Sequence, residues 1–379
     1  MTIPPPGTEV CDDRPPQTAA TAEAADLYGH VAPLRKKLAR RAAPDHSQTL
    51  RRSFQIAFLL LNIWMGGAFY FWVRGFENGT HSHGLIRPAG VEGWLPIAGL
   101  MNLKYWLVGG NLPSSHPAAM FLLLAFVAIA FLLRKSFCSW LCPVGTLSEY
   151  LGRAGKRMFR RNFLLPRWLD LPLRSLKYLL LGFFVWAICN MSAGAIEQFM
   201  SSPYGTVADV RMLNFFRHMS QTAAIVLAIL AVASVFVQNF WCRYLCPYGA
   251  LLGLASMLGP LRIRRSEPAC IDCAKCAKAC PSALPVDKLV TIKSAECTGC
   301  LECVAVCPAE GALQMALSPW SQSPDHGRIS AWGMAVAIAV LFLGIVGYAK
   351  TTGHWNGDVP DHVYRQLVPQ ADEVDHLIP

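Results

Sequence analysis

The chain reads as a mainly α, polytopic membrane protein of about five transmembrane helices, arranged as a duplicated two-helix hairpin and carrying one small α+β module rich in cysteine. Three observations lead there. The 379 residues are 53% hydrophobic and only 15% charged, too apolar for an ordinary soluble domain. Charged side chains are missing from five long stretches. Eight of the fourteen cysteines fall into two copies of one spacing.

Taken in order, residues 1–52 are Pro- and Ala-rich with a basic end and no apolar core. They predict a disordered cytoplasmic N-terminus without a cleavable secretory signal. The charge-free stretches run between Arg52 and Arg74, Lys104 and Arg134, Lys177 and Glu197, Arg217 and Arg243, and Arg328 and Lys350. Each supplies the roughly 20 residues that a helix needs to cross a hydrocarbon core of about 30 Å. Pro113 and Pro117 place the start of the second crossing near His116. Buried helices of a soluble protein explain one such stretch, but not five on one chain. The expected organisation is a first membrane hairpin over 53–152, a second over 153–259, the cysteine module over 260–318, a fifth transmembrane helix over 319–350, and a periplasmic tail over 351–379.

Orientation follows from the basic residues. Arg35, Lys36, Lys37, Arg40, Arg41, Arg51 and Arg52 precede the first crossing, ten Lys or Arg lie between 134 and 177, and segments 74–116 and 190–217 are nearly neutral. The N-terminus and the module should face the cytoplasm, and the acidic tail with Asp358, Asp361, Asp372, Glu373 and Asp375 the opposite side. The net charge of +10 is thus a topology signal facing membrane lipid. No nucleic-acid partner is expected, because the basic residues flank spans and form no stripe with aromatics.

The module's cysteines are Cys270, Cys273, Cys276 and Cys280 before Pro281, and Cys297, Cys300, Cys303 and Cys307 before Pro308. This C-x2-C-x2-C-x3-C-P run is that of bacterial two-cluster ferredoxins, in which the fourth cysteine ligates the other cluster. On that pattern one [4Fe-4S] cluster takes Cys270, Cys273, Cys276 and Cys307, and the second takes Cys297, Cys300, Cys303 and Cys280. Zinc ribbons use two pairs and need neither the third close cysteine nor the proline. Disulfides are disfavoured on the reducing side of a membrane. Leu261 to Arg265 and Ala312 to Leu317 are the expected strands closing the module.

A second pair of motifs sits in the membrane part. Phe137 to Leu147 (FCSWLCPVGTL) matches Trp241 to Leu251 (WCRYLCPYGAL), which marks an internal duplication. Cysteines four apart share a helix face. Pro143 and Pro247 disfavour helix at Cys142 and Cys246 and suit the first turn of a following, interfacial helix, whose positive end would favour thiolate. Cys138, Cys142, Cys242 and Cys246 could bind a further metal centre, act as redox thiols, or be structural.

The C-x3-C-P doublets followed by a two-cluster ferredoxin module resemble the NapH/NosR-type membrane polyferredoxins. Longer runs such as Gly93 to Tyr105 and Tyr364 to Gln370 extend the likeness over roughly residues 50 to 370. The resemblance implies a multi-pass protein of the bacterial inner membrane that passes single electrons between a quinol or cytoplasmic donor and a redox partner protein, with quinone as a possible ligand. It would be an electron-transfer subunit and not a stand-alone catalyst. An assembly or redox-sensing accessory protein for a metalloenzyme or cytochrome complex is the alternative. The chain shows no C-x-x-C-H haem motif and no nucleotide-binding glycine pattern. His81, His83, His116 and His218 are outer-side candidates for proton or metal chemistry. Lys275, Lys278, Lys288 and Lys293 could dock an acidic electron carrier. Cys11 and Cys189 are not expected to be ligands.

Overall fold

The computed structural model describes residues 41, 45–79, 86–160, 163, 165–317 and 328–374, and helices occupy most of them. Of the start expected to be disordered, 1–52, residues 1–40 and 42–44, with Cys11, lie outside these residues, as do the loop histidines His81 and His83; 47–52 are instead helical, because the apolar helix that follows extends back through them to Ser47.

The first apolar stretch forms α1, Ser47–Glu77; at 1.5 Å per residue it is about 45 Å long, more than a bilayer's apolar core. After a 3-10 turn at Ala89–Trp94 come α2, Pro96–Gly109, and α3, Pro117–Leu132. A short helical turn α4, Ser136–Trp140, leads to the amphipathic α5, Pro143–Phe159. The second half repeats this plan with α6, Arg167–Asn190, the short α7 and α8 at Ala193–Met200 and Pro203–Thr206, then α9, Ala208–Arg217, and α10, Gln221–Phe236. A π-turn at Trp241–Leu245 precedes α11, Pro247–Leu258.

Three helices, α1, α6 and α14 (Ala331–Thr351), are long and apolar enough to cross a membrane. The pair α9 and α10, bent by 81° at its break, makes a fourth if it is one span. The difference from five continuous crossings has local causes. Pro117 starts α3 late, after a left-handed His116, and left-handed Arg134 follows its end, so α3 has only 16 residues. It is also the buried centre of the bundle: Ala118, Met120, Ala125 and Ile129 are at most 1% exposed. By composition alone, a helix apolar on every side fits lipid and protein core equally. In the fourth stretch, Ser220 caps a new helix by accepting the Ala223 N–H at 3.2 Å, so the chain turns before it runs straight.

The module follows α11. Strands β1, Leu261–Arg265, and β2, Leu313–Leu317, pair antiparallel with Leu261 opposite Leu317 and Arg265 opposite Leu313, within one residue of the expected bounds. Alternation puts Leu261, Ile263, Leu313 and Met315 inward, as a half-buried sheet requires. These side chains join Phe126, Ile129, Trp140, Met334 and Ile338 in one core, so the module is packed onto α3 and α14.

The start of α1 and the module share one end of the bundle: Gln48 Nε2 donates to Cys300 O at 3.0 Å, and Arg41 to Val304 O at 3.2 Å. The opposite end is closed by α15, Asp361–Leu367, whose Tyr364, with Val368 and Ala371, packs on Phe69, Trp72 and Phe76 of α1.

Candidate functional site

Each ferredoxin run folds into the same tight curl. In the first, Asp272 and Ala274 are left-handed; in the second, Gly299 and Leu301 are. Both pairs sit two and four residues after the first cysteine, flanking Cys273 and Cys300. Only the glycine takes this conformation without strain. Alternating left- and right-handed residues turn successive N–H groups inward, the backbone nest that receives anionic centres such as iron–sulfur clusters. Ala274 and Leu301 then open the short helices α12, Lys275–Ala279, and α13, Glu302–Ala305. These aim Cys276 and Cys303 back toward their loops.

The fourth cysteine of each run lies near thiols of the other run. Cys307 has Cys273 and Cys270 as its electrostatic neighbours, and Cys276 has Cys307 and Cys270. Cys280 has Cys297 near it, while Cys303 has Cys300, Cys297 and Cys280 and, last, Cys276 of the first run. A small hollow is walled by Cys280, Cys297, Cys300 and Cys303 together with Ile263 and Leu284. Among the described residues no three His, Cys, Asp or Glu side chains converge tightly enough for a single metal ion; a zinc site would hold four sulfurs about 2.3 Å from one point. Two groups of thiols, curled backbone and a mainly apolar hollow fit the larger iron–sulfur cube. Burial pushes the Cys276 thiol up to about 11 and the Cys300 thiol up to about 12, so cluster loading must displace protons.

The doublets lie directly beneath. Cys142 and Cys246 are extended (ψ 119° and 103°), with Pro143 and Pro247 opening the next helix, as the dipeptides predict. Cys246 Sγ accepts the Gly249 N–H at 3.2 Å. The four doublet thiols are brought together from both halves: Cys138 has Cys142 and Cys246 in its field, and Cys242 has Cys246, Cys142 and Cys138. Trp140 Nε1 donates to Gly299 O at 3.2 Å, and Ser139 Oγ to Thr298 O at 2.7 Å, so the first doublet rests on the loop carrying Cys297 and Cys300. Exposed Cys189 is apart from both sets.

A cavity of about 1120 Å³ reaches from these cysteines and Cys300 through an apolar throat to Arg87 and Lys350 near the other end of the bundle. Phe126, Phe137, Tyr248 and Phe342 form an aromatic group beside the doublets, Phe126 stacked on Phe137 with centroids 3.9 Å apart.

Two residues of the site were hidden among the basic residues that mark topology. Lys135, 4% exposed, sits among Cys138, Cys242 and Cys246. Arg51, fully buried, pairs with Glu149 at 2.7 Å and Glu302 at 2.9 Å, joining α1, α5 and the module. Of the outer histidines, buried His116 meets Glu92 at 3.3 Å, Arg87 at 3.2 Å and Gly205 O at 2.9 Å, a structural lock; exposed His218 lies 3.5 Å from Asp372.

Comparison with known proteins agrees with this anatomy. The family described as "4Fe-4S binding domain" matches twice, at residues 115–165 and 220–266, once over each doublet. A "4Fe-4S dicluster domain" matches residues 263–315. The chain is 50% identical over 331 residues to "Putative electron transport protein YccM" of Escherichia coli (strain K12), covering 87% of this chain and 93% of that one. It is 33% identical over 218 residues to "Protein NirI" of Paracoccus denitrificans (strain Pd 1222), covering 54% of this chain and 30% of NirI. To "Ferredoxin-type protein NapH" of Escherichia coli (strain K12) it is 24% identical over 267 residues, covering 68% of this chain and 85% of NapH. No solved structure matches. With half its residues shared with YccM over nearly the full length of both, and with 4Fe-4S domains at both kinds of cysteine motif, the chain belongs to the YccM family within the NapH-like membrane polyferredoxins.

Proposed function

We propose that this protein passes single electrons between a quinol or cytoplasmic donor and a redox partner at the bacterial inner membrane. One observation carries the proposal: a single cavity of about 1120 Å³ is lined by the four doublet cysteines and by Cys300 of the module. An amphipathic ring compound in that cavity would lie against thiol ligands. Its apolar throat, with Leu122, Leu181, Phe184 and Val346, suits a prenyl chain, and the aromatic group suits a flat ring. The Tyr248 hydroxyl, beside Cys138 and Cys142, is placed to donate a hydrogen bond to a ring oxygen.

In this proposal Cys270, Cys273, Cys276 and Cys307 hold one [4Fe-4S] cluster, and Cys297, Cys300, Cys303 and Cys280 the second. When bound, the clusters supply one-electron storage. The chain's own residues do the rest. Trp140 and Ser139 hold the second cluster's loop against the first doublet, and Ile263, Leu284 and Ile292 keep water from it. Cys138, Cys142, Cys242 and Cys246 stand between that loop and the cavity as a further metal centre or redox thiols. Lys275, Lys278, Lys288 and Lys293, all exposed on the module, form the docking face for an acidic carrier. The topology proposed is five crossings, with α3 and the bent pair as the second and fourth, a cytoplasmic N-terminus and module, and a periplasmic tail. The shared end of the α1 start and the module supports it.

The test uses anaerobically purified full-length protein in nanodiscs, with reduction followed by EPR. A quinol should reduce the clusters. Leu181→Trp, which fills the throat at a residue 8% exposed, should abolish quinol reduction and leave dithionite reduction intact. Clusters reduced by neither quinol nor a cytoplasmic ferredoxin would refute the proposal.

A further inference from the structure

The duplication sets matching side chains of its two halves around one cavity. Aligned on the doublets, Lys135 matches Asn239 and Val144 matches Tyr248, and all four line it. In the first half Lys135 has the Glu296 carboxylate as counter-charge, and the Val144 side chain has nothing to hydrogen-bond. In the second half two neutral polar groups take these places. Among the described residues no hydrogen bond holds the Asn239 carboxamide, and its Oδ1 is shielded and unpaired.

The backbone fixes where this side chain starts. Asn239 is left-handed, with φ 59°, and its carbonyl accepts the Arg243 N–H at 2.8 Å, opening the π-turn at Trp241–Leu245. Asparagine is among the few residues with a side chain that take this conformation readily. A shielded amide end without a partner is costly, and it calls for a partner that the chain does not contain. A carboxamide carries an acceptor at one end and donors at the other. Rotation exchanges them, and here no protein hydrogen bond opposes it. A quinol ring presents hydroxyls, whereas a quinone ring presents carbonyls, which only accept.

We propose that Asn239 is the second polar contact, beside Tyr248, for the ring compound in this cavity: its Oδ1 accepts from a hydroxyl of the reduced ring, and with the amide turned its Nδ2 donates to a carbonyl of the oxidised ring. This deepens the electron-transfer proposal, on which it rests, by naming the residue that recognises both forms of a quinol–quinone couple. Asn239 binds and positions the ring.

The experiment measures binding apart from electron transfer, on anaerobic full-length protein in nanodiscs. Duroquinone is titrated into oxidised protein and duroquinol into protein whose clusters were reduced beforehand. Quenching of tryptophan fluorescence reads both, since Trp94, Trp241 and Trp355 line the cavity. Asn239→Gly, which suits the left-handed backbone, should weaken both ligands about tenfold, the loss of about one net hydrogen bond. Asn239→Asp keeps an acceptor and lacks the donor. It should bind duroquinol as wild type does and duroquinone about tenfold more weakly, a change of preference that a packing role does not produce. Unchanged binding in both variants would leave the shielded oxygen to water alone and overturn the proposal. Equal weakening of both ligands in Asn239→Asp would overturn it too. Wild type that binds neither ligand would defeat this proposal and the quinol reading together. Wild type that binds both, with clusters that duroquinol does not reduce, would leave Asn239 standing and defeat quinol as the donor.

Discussion

The two C-x3-C-P repeats share their cysteines and prolines and differ in what the residues between them grip. In the first, Ser139 and Trp140 donate to the carbonyls of Thr298 and Gly299, sewing the doublet to the loop that carries Cys297 and Cys300. In the second, the matching positions are Arg243 and Tyr244, and both turn to Asp170 at the start of α6, at 3.0 Å and 2.6 Å. The first is clamped further by Arg51 and Gln55, which both donate to Ser139 O. Duplication therefore supplied a pair of thiols from each half, and divergence at the positions between the cysteines decided which doublet is hydrogen-bonded to the module. The glycines agree. A Cβ on Gly145 would run into the Cys138 carbonyl, whereas one on Gly249 meets nothing nearer than 3.5 Å.

The strongest way to break this asymmetry is at its arginines. Arg51→Gln leaves Glu149, 4% exposed, without its buried partner and should cost about 3–5 kcal/mol. The matching Arg243→Gln, on a more open pair, should cost about 1–3 kcal/mol. Thermal loss of cluster absorbance in detergent measures both, and equal losses would erase the distinction. Next come the glycines. Gly145→Ala should cost about 1–3 kcal/mol by overpacking, while Gly249→Ala should stay within about 0.5 kcal/mol. Melting and iron content would show whether the second doublet is as tightly built as the first.

The smallest expected effect is acid sensitivity of the first clamp. Burial alone would raise the Glu149 carboxyl, but the hydrogen bond and charge of Arg51 outweigh it and hold it below its ordinary 4.5. A depressed carboxyl contributes stability that is present above 4.5 and is lost as the pH falls through its lower folded-state value. Wild-type melting should therefore decline below about pH 4.5, and Glu149→Gln should flatten that decline. A decline unchanged in Glu149→Gln would assign it to other groups.

Much of this was legible along the chain. The cysteine runs are local, so their curl follows from a few neighbouring residues, and the strands at Leu261–Arg265 and Leu313–Leu317 were set by alternation and their place beside the runs. The extended Cys142 and Cys246 followed from the prolines after them. The crossings were harder. A charge-free stretch states only that side chains avoid water, and α3 avoids it inside protein while α1, with Trp64 and Phe71 exposed, presents apolar surface. Arg51 and Lys135 were misjudged for a related reason: near a span, a basic residue looks the same whether it meets headgroups or a buried thiol.

By itself, then, the order of residues determined the curl of the cysteine runs and the proline-capped doublets, because each depends on bonds and sterics within about ten residues, and it displayed the duplication as a repeated motif. Only the tertiary structure decided which cation sits among the doublet thiols, which doublet is hydrogen-bonded to the module, and that one cavity touches both kinds of cysteine. Those facts depend on segments far apart in the chain, such as those of Arg51 and Glu302, 251 residues apart. Burial and electrostatic pairing exist only once such segments have packed.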